Sequence, residues 1–170
     1  MIIRQEETKD YKDVYRVVKS AFDSAEHSDG NEQDLVNALR NSGSFIPQLS
    51  LVAEQGGEIL GHILFTKVDS GGSTQLALAP LSVIPGRQRQ GIGKALIQEG
   101  HRRARELGYR YSVVLGSETY YPKMGYLPAE QYGIQAPFDV PRENFMACQL
   151  EKDAPQISGV VQYAKEFGIG

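Results

Sequence analysis

The residues best equipped to do chemistry in this chain stand together: Gln88, Arg89, Gln90, Gly91, Ile92, Gly93 and Lys94. An apolar stretch ending in Val83-Ile84-Pro85 runs into them, and an amphipathic run leads away from them. A turn that opens into a helix leaves the first N–H groups without helical acceptors, and the helix dipole adds partial positive charge at that end. Phosphate groups bind well there. Gly91 and Gly93 have no side chain to hold a ligand off the backbone, and Arg87, Arg89 and Lys94 bring full positive charges. The chemistry on offer is phosphate binding.

Two familiar phosphate motifs fail on particular residues. A dinucleotide fingerprint needs a third glycine where this chain has Leu96, and a P-loop needs Ser or Thr where it has Ala95. What fits is Gln/Arg-x-x-Gly-x-Gly/Ala, supplied by Gln88, Gly91 and Gly93. On these residues the chain resembles the GNAT family of acetyl-CoA-dependent N-acetyltransferases. Tyr121-Pro122-Lys123-Met124-Gly125-Tyr126 resembles the Tyr-x-x-x-Gly-Phe/Tyr signature of the same family. Within it, the likeness to the YhbS-like group of predicted acetyltransferases runs over nearly the whole chain. It includes Glu32 and Leu35, Leu51-Val52-Ala53-Glu54, Gly61-His62-Ile63, Phe145-Met146 and the tail over residues 159–167.

The resemblance implies a mixed α/β (α+β) fold: a mostly antiparallel central sheet flanked by helices, with a splayed strand pair that holds coenzyme A. It implies acetyl-CoA as co-substrate, its pyrophosphate over residues 88–94 and its pantetheine arm against the backbone of Leu81, Ser82 and Val83. It implies Tyr121 as proton donor to the departing thiolate. No metal is expected. The amine would attack the thioester directly in a ternary complex, after a base or water chain removes its proton, with a backbone N–H near residues 81–83 facing the oxyanion. Two other readings stay open: transfer of a larger acyl group, and a non-catalytic acyl-CoA sensor.

Five further residues carry readings from their own spacing. Tyr120 competes with Tyr121, whose distance from Gly125 favours it; the ring of Tyr120 is expected to point elsewhere. Glu32 shares a helical face with Val36 and Leu39; carboxylates are rarely buried unless paired or functional, so Glu32 is a candidate to face the acceptor amine. His62 shares a strand face with Leu60 and Leu64 and reads as structural. Glu118 reads as a helix-start charge, and Cys148, with no activating neighbour, as core packing.

These residues need elements to place them. Residues 2–6 read as a strand, with a helix following from Thr8 whose face is Tyr11, Val14, Val18, Ala21 and Phe22. Residues 24–31 are polar and turn-like, and a second helix is expected over 31–40. Strands over 49–54 and 58–68 meet at Gly56-Gly57, and another over 75–84 follows the turn at Gly71-Gly72. Pro80 lies inside that last strand, where it cannot donate to a ladder and predicts a bulge. A helix over 91–107 turns Ile92, Leu96, Gly100, Ala104 and Leu107 inward and is capped by Gly108. The apolar run 111–115 reads as a strand buried on both faces, parallel to the strand before the helix. A short helix over 118–124 and a strand over 145–150 complete the pattern.

With 170 residues, 41% hydrophobic and 23% charged, the chain is expected to be one domain, its residues 151–170 an extension packed upon it. A net charge of −3 speaks against nucleic-acid binding. The single cysteine excludes an internal disulfide framework and fits a reducing compartment. Met1-Ile2-Ile3-Arg4-Gln5-Glu6 has no long apolar region, so neither a signal peptide nor a membrane partner is expected, and the compartment is expected to be cytoplasmic. The expected partner is a small-molecule amine; a homodimer is left open.

Overall fold

The computed structural model describes residues 1–23 and 30–169. The polar turn expected over 24–31 therefore lies, apart from its last two residues, outside the described residues. Strands β1 (Ile2–Gln5), β2 (Phe45–Gln55), β3 (Glu58–Ser70), β4 (Ser73–Val83), β5 (Tyr111–Leu115), β6 (Tyr126–Pro128) and β8 (Phe145–Gln149) form one sheet in the order β1-β2-β3-β4-β5-β8-β6. Every neighbouring pair is antiparallel except β4 and β5, which the crossover through helix α3 (Ile92–Glu106) makes parallel. Two short strands, β7 (Ile134–Gln135) and β9 (Gly159–Val160), pair separately. The hairpins turn at Gly56-Gly57 and Gly71-Gly72, as the sequence predicts.

Period-two alternation decides which helix covers which face. Ile63 and Phe65 of β3 pack on the same side as Leu96 and Ile97 of helix α3 (Ile92–Glu106). Leu64 faces the other side, under α1 (Tyr11–Asp23) and α2 (Glu32–Arg40) with Val14, Val18, Val36 and Leu39. Farther along that second face, Val68, Ala77, Tyr111, Val113 and Phe145 are covered by the C-terminal arm through Ile157 and Val161. Ile157 and Val161 thus complete a core layer, each buried Val, Ile or Phe contributing about 1.5–3 kcal/mol of apolar burial. No helix among the described residues is long and apolar enough to cross a membrane.

Four local expectations change. β2 begins at Phe45, and its register against β3 shifts between Phe45 and Ser50, which leaves Pro47 in the strand without a ladder bond to supply. The helix expected over 118–124 is a single 3-10 turn, Tyr121–Met124, ended by Gly125 in the left-handed region. Leu107 falls after the last helical residue and is 45% exposed rather than inward. Leu115 is 52% exposed, so β5 is not buried on both faces to its end.

Candidate active site

The exposure of Leu115 follows from how β4 behaves. β4 pairs with β5 only at Leu76↔Ser112 and Ala77↔Val113. Its other edge stays bonded to β3 as far as Gly61↔Val83, but the register shifts between Phe65↔Leu78 and Ile63↔Leu81. Two steps along β3 therefore match three along β4, a bulge at Ala79 and Pro80, where the sequence predicts one. Past Ala77 the strand turns from β5, and Leu78 through Val83 present an open backbone edge.

Helix α3 begins beside this edge. It can lie close on β3 because Gly61 sits under Ile92 and Leu96, where a Cβ would come within 3.1 Å of either side chain. Gly91 caps the helix at φ 85°, a left-handed conformation that glycine takes without strain. The N–H of Ala95 bonds the Gly91 carbonyl at 3.0 Å, so the amides of Ile92, Gly93 and Lys94 precede the first helical bond. Gln88 ties the loop down by donating from Nε2 to the Val83 carbonyl at 3.1 Å. Arg87 donates to Gln55 Oε1 at 2.8 Å and to Gln90 Oε1 at 3.1 Å. Arg89 adopts φ 65°, which costs a side-chain-bearing residue about 1–2 kcal/mol; such strain concentrates at ligand clamps.

Amides, Arg89 and Lys94 surround a cavity of about 310 Å³ that the β4 edge closes with Leu81 and Val83. A surface cavity beside Glu6 is larger, about 530 Å³, but its wall carries the acids Glu6 and Glu7 and none of the glycines of the loop before α3. Chemistry rather than size selects the smaller one. Of the ten residues expected to bind the cofactor, Leu81, Val83, Gln88, Arg89, Gly91, Ile92, Gly93 and Lys94 line it together. Ser82 is buried on the opposite face of β4, so only its backbone belongs to the edge. Gln90 holds Arg87 instead of facing the cavity.

The expectation that Tyr120 points elsewhere is overturned. Tyr120 lines the cavity, its hydroxyl against Gly93. Its ring meets that of Tyr121 edge-on at 5.0 Å, and Tyr121 in turn packs edge-on against Tyr126 at 5.6 Å. Tyr121 also covers Gly116, just past the end of β5, on the wall across the opening from the α3 start. Burial pushes the phenols of Tyr120 and Tyr121 above the ordinary tyrosine value, with Tyr120 adding to the shift of Tyr121. Both hydroxyls stay protonated near neutral pH and so keep a proton to donate.

Glu32 opens α2 and is half-buried. α2 packs on α1, on β2 and on the turn Lys165–Phe167, and none of the described cavity-lining residues belongs to it. Glu118 is exposed and accepts from Asn144 Nδ2 at 2.7 Å, an inter-loop tie rather than a helix start. Cys148 is buried, its thiol pushed up to about 11 by desolvation, as suits core packing. His62 is fully buried, and it belongs to a network that the spacing did not disclose. Glu6 is paired with Arg40, accepts from Ser50 at 2.7 Å, and Ser50 contacts His62 Nε2 at 2.9 Å. These residues come from the β1 end, α2, β2 and β3, so no local pattern could have joined them.

Comparisons with known proteins identify the family. Residues 10–126 match the Acetyltransferase (GNAT) family. The chain is 38% identical over 146 residues to the uncharacterized N-acetyltransferase YjhQ of Escherichia coli (strain K12), covering 83% of this chain and 77% of that protein. Its structure is similar to a GNAT family acetyltransferase from Brucella melitensis in complex with acetyl-CoA, at 34% identity and TM-score 0.81 over 98% of this chain and 97% of the other. It is also similar to Escherichia coli YhbS in complex with CoA, at 27% identity and TM-score 0.89, covering 98% and 91% of the two chains. The chain with this helix start and this open strand edge belongs to the GNAT family of N-acetyltransferases.

Proposed function

We propose that this protein transfers an acetyl group from acetyl-CoA to a primary amine of a small molecule. The observation that carries the reading is the juxtaposition of the open β4 edge with the amide-bearing start of α3. The pyrophosphate sits on the amides of Ile92, Gly93 and Lys94, with Arg89 and Lys94 adding charge. The pantetheine arm pairs with the backbone of Leu81, Ser82 and Val83 as an added strand would. That course directs the thioester toward the bulge at Ala79 and Pro80, where a backbone N–H no longer used by the ladder can face the oxyanion.

The two tyrosines then divide the work. Tyr120, against Gly93, lies at the phosphate end of the arm and shapes coenzyme binding. Tyr121, beside the end of β5, lies at the thioester end and donates to the leaving sulfur. Glu32 is assigned to attract the acceptor's ammonium group. The Brucella and Escherichia coli relatives that hold acetyl-CoA and CoA support the coenzyme part of this reading. Calorimetric titration with acetyl-CoA, followed by thiol release across a panel of primary amines, tests it. Absence of binding refutes the coenzyme assignment; binding without turnover on any amine refutes the transfer.

A further inference from the structure

One row of the sheet carries polar groups inside an apolar layer. Ser112 of β5 pairs with Leu76 of β4 and with Cys148 of β8, and Cys148 pairs with Tyr126 of β6. Directly paired residues share a face, and for these four it is the face that packs under α3. Leu96, Ile97, Val114 and Met146 belong to the same cluster. Yet the Tyr126 hydroxyl lies 2.9 Å from Ser112 Oγ and 3.0 Å from Nε2 of His101 on α3. Tyr126 and Ser112 are fully buried, and His101 is 4% exposed. Burial holds His101 at about 4, so three uncharged groups meet at neutral pH.

Stability gives little reason for this arrangement. A buried hydrogen bond nets little once the bonds lost to water are counted, and apolar groups of the same shape in place of both partners cost almost nothing. What the two bonds fix is orientation, because a ring tied at its tip to two elements cannot turn without leaving buried polar atoms unpaired. Leu76↔Ser112 is one of the two rungs that join β4 to β5, so the three groups stand at the root of the opening. His101 lies about 14 Å along α3 from Ile92. On its other side, Tyr126 meets the Tyr121 ring edge-on at 5.6 Å and 75°. Tyr120 stands against Tyr121 at 5.0 Å, and a Cβ on Gly116 would strike the same ring. Contacts on three sides therefore set where the Tyr121 hydroxyl points.

We infer that Tyr126 is a positioning residue: tied by His101 to α3 and by Ser112 to β5, its ring holds the Tyr121 hydroxyl at the sulfur of acetyl-CoA. The inference rests on the acetyl-transfer reading and on Tyr121 as the proton donor. Tyr126, His101 and Ser112 exchange no proton in the reaction and act through geometry alone. The start of α3 sets the phosphate end of the coenzyme, and the ring standing on Tyr126 sets the thiolate end. One buried set of hydrogen bonds, with a member on α3, thus keeps the two ends at a constant separation. Misplacing a reacting group by about 1 Å can cost about a hundredfold in rate, so such a tie has a catalytic use that its modest stability does not reveal.

Tyr126→Phe keeps the ring and unties it. Its kcat should fall by about tenfold to a hundredfold, with acetyl-CoA affinity unchanged by calorimetry because the α3 start is untouched. Turnover is read as thiol release from acetyl-CoA with methylamine, tyramine and spermidine. The double variant Tyr121→Phe/Tyr126→Phe separates positioning from mere support. With the Tyr121 hydroxyl gone there is nothing left to aim, so the double variant should turn over as fast as Tyr121→Phe alone. Val14→Ala, a truncation under α1 on the far face of the sheet, should lower Tm and leave kcat unchanged. Should Tyr126→Phe fail to fold, Ser112→Ala removes one of the two bonds and is judged by the same outcomes at a smaller loss. Wild-type kcat in Tyr126→Phe, an equal loss in both backgrounds, or a matching kcat loss in Val14→Ala overturns the positioning role and leaves the acetyl-transfer reading standing. Wild-type kcat in Tyr121→Phe overturns the proton donor and this inference together. Failure of the wild type to bind acetyl-CoA overturns the coenzyme reading as well, whereas binding without turnover of any of the three amines overturns the inference and spares the coenzyme site.

Discussion

Gly93→Ala adds one carbon at the meeting point of the α3 start, the β4 edge and Tyr120. Built on the present backbone, that Cβ would lie 2.5 Å from Tyr120 Oη, 3.6 Å from Leu81 Cδ2 and 3.8 Å from Tyr120 Cζ. The last two are ordinary contacts, so the whole conflict is with one oxygen, which must retreat by about 1 Å to reach normal separation. Tyr120 cannot slide freely, because Tyr121 braces its ring edge-on at 5.0 Å and 88°. Overpacking of this kind costs about 1–3 kcal/mol. Because the strained atoms are cavity wall, the cost should appear as acetyl-CoA affinity weakened by about fivefold to a hundredfold. Tyr120→Phe removes the conflicting oxygen and leaves the 3.8 Å ring contact, so in the Gly93→Ala background it should restore most of the loss. Calorimetric titration of the wild type, both single variants and the double variant gives the coupling energy, expected to be about 1 kcal/mol or more. Additive losses would refute the placement of the Tyr120 hydroxyl against Gly93, and with it the role of this ring as cavity wall.

Gly91→Val should reduce acetyl-CoA affinity more severely, since φ 85° disfavours a branched side chain and the new atoms project into open cavity space; near-native affinity by calorimetry would contradict the cradle. Tyr121→Phe keeps the packing on Gly116 and Tyr126 but removes the donor, so kcat should fall by about 10²-fold or more with acetyl-CoA KM little changed; a loss confined to KM would move Tyr121 out of the thiolate's reach. Glu32→Gln should leave coenzyme affinity intact and raise the acceptor's KM, and unchanged amine kinetics would return Glu32 to an ordinary first-turn acid. Burial holds His62 and His101 at about 4, against an ordinary value of 6.5. As pH falls below about 6.5 the unfolded chain takes up protons that the folded one refuses. The stability fully present above that pH should therefore drain away toward pH 4, by up to about 3 kcal/mol for each histidine. Thermal unfolding across that window tests this, and a Tm independent of pH would refute the neutral burial of both rings.

How far the sequence reaches depends on how local each feature is. The glycine-bearing loop that opens α3 was legible because its parts lie within seven residues, and glycine spacing with an adjoining helix leaves few alternatives. The strands on either side of Gly56-Gly57, the bulge at Pro80 and the inward stripe of α3 were legible for the same reason: period, turn residue and missing N–H all act over a few positions. Tyr121 could be selected by its distance from Gly125, but the direction of Tyr120 could not. A 3-10 turn in place of an α-helix rotates successive side chains differently, and Gly93, which receives the Tyr120 hydroxyl, lies 27 positions earlier. Glu6, Arg40, Ser50 and His62 are joined across separations of up to 44 residues, and none of the four carries a local signal of the others. The opening of β4 from β5 is likewise a consequence of the sheet. Apolar residues occur on both sides of the place where pairing stops at Ala77 and Val113, and only the β3 register, which carries the bulge, turns the strand away. The sequence alone determined which backbone could hold phosphate, because that is a property of one turn. Tertiary structure decided what faces that turn and what lies behind it, because strand register and helix packing set the meeting of residues far apart in the chain.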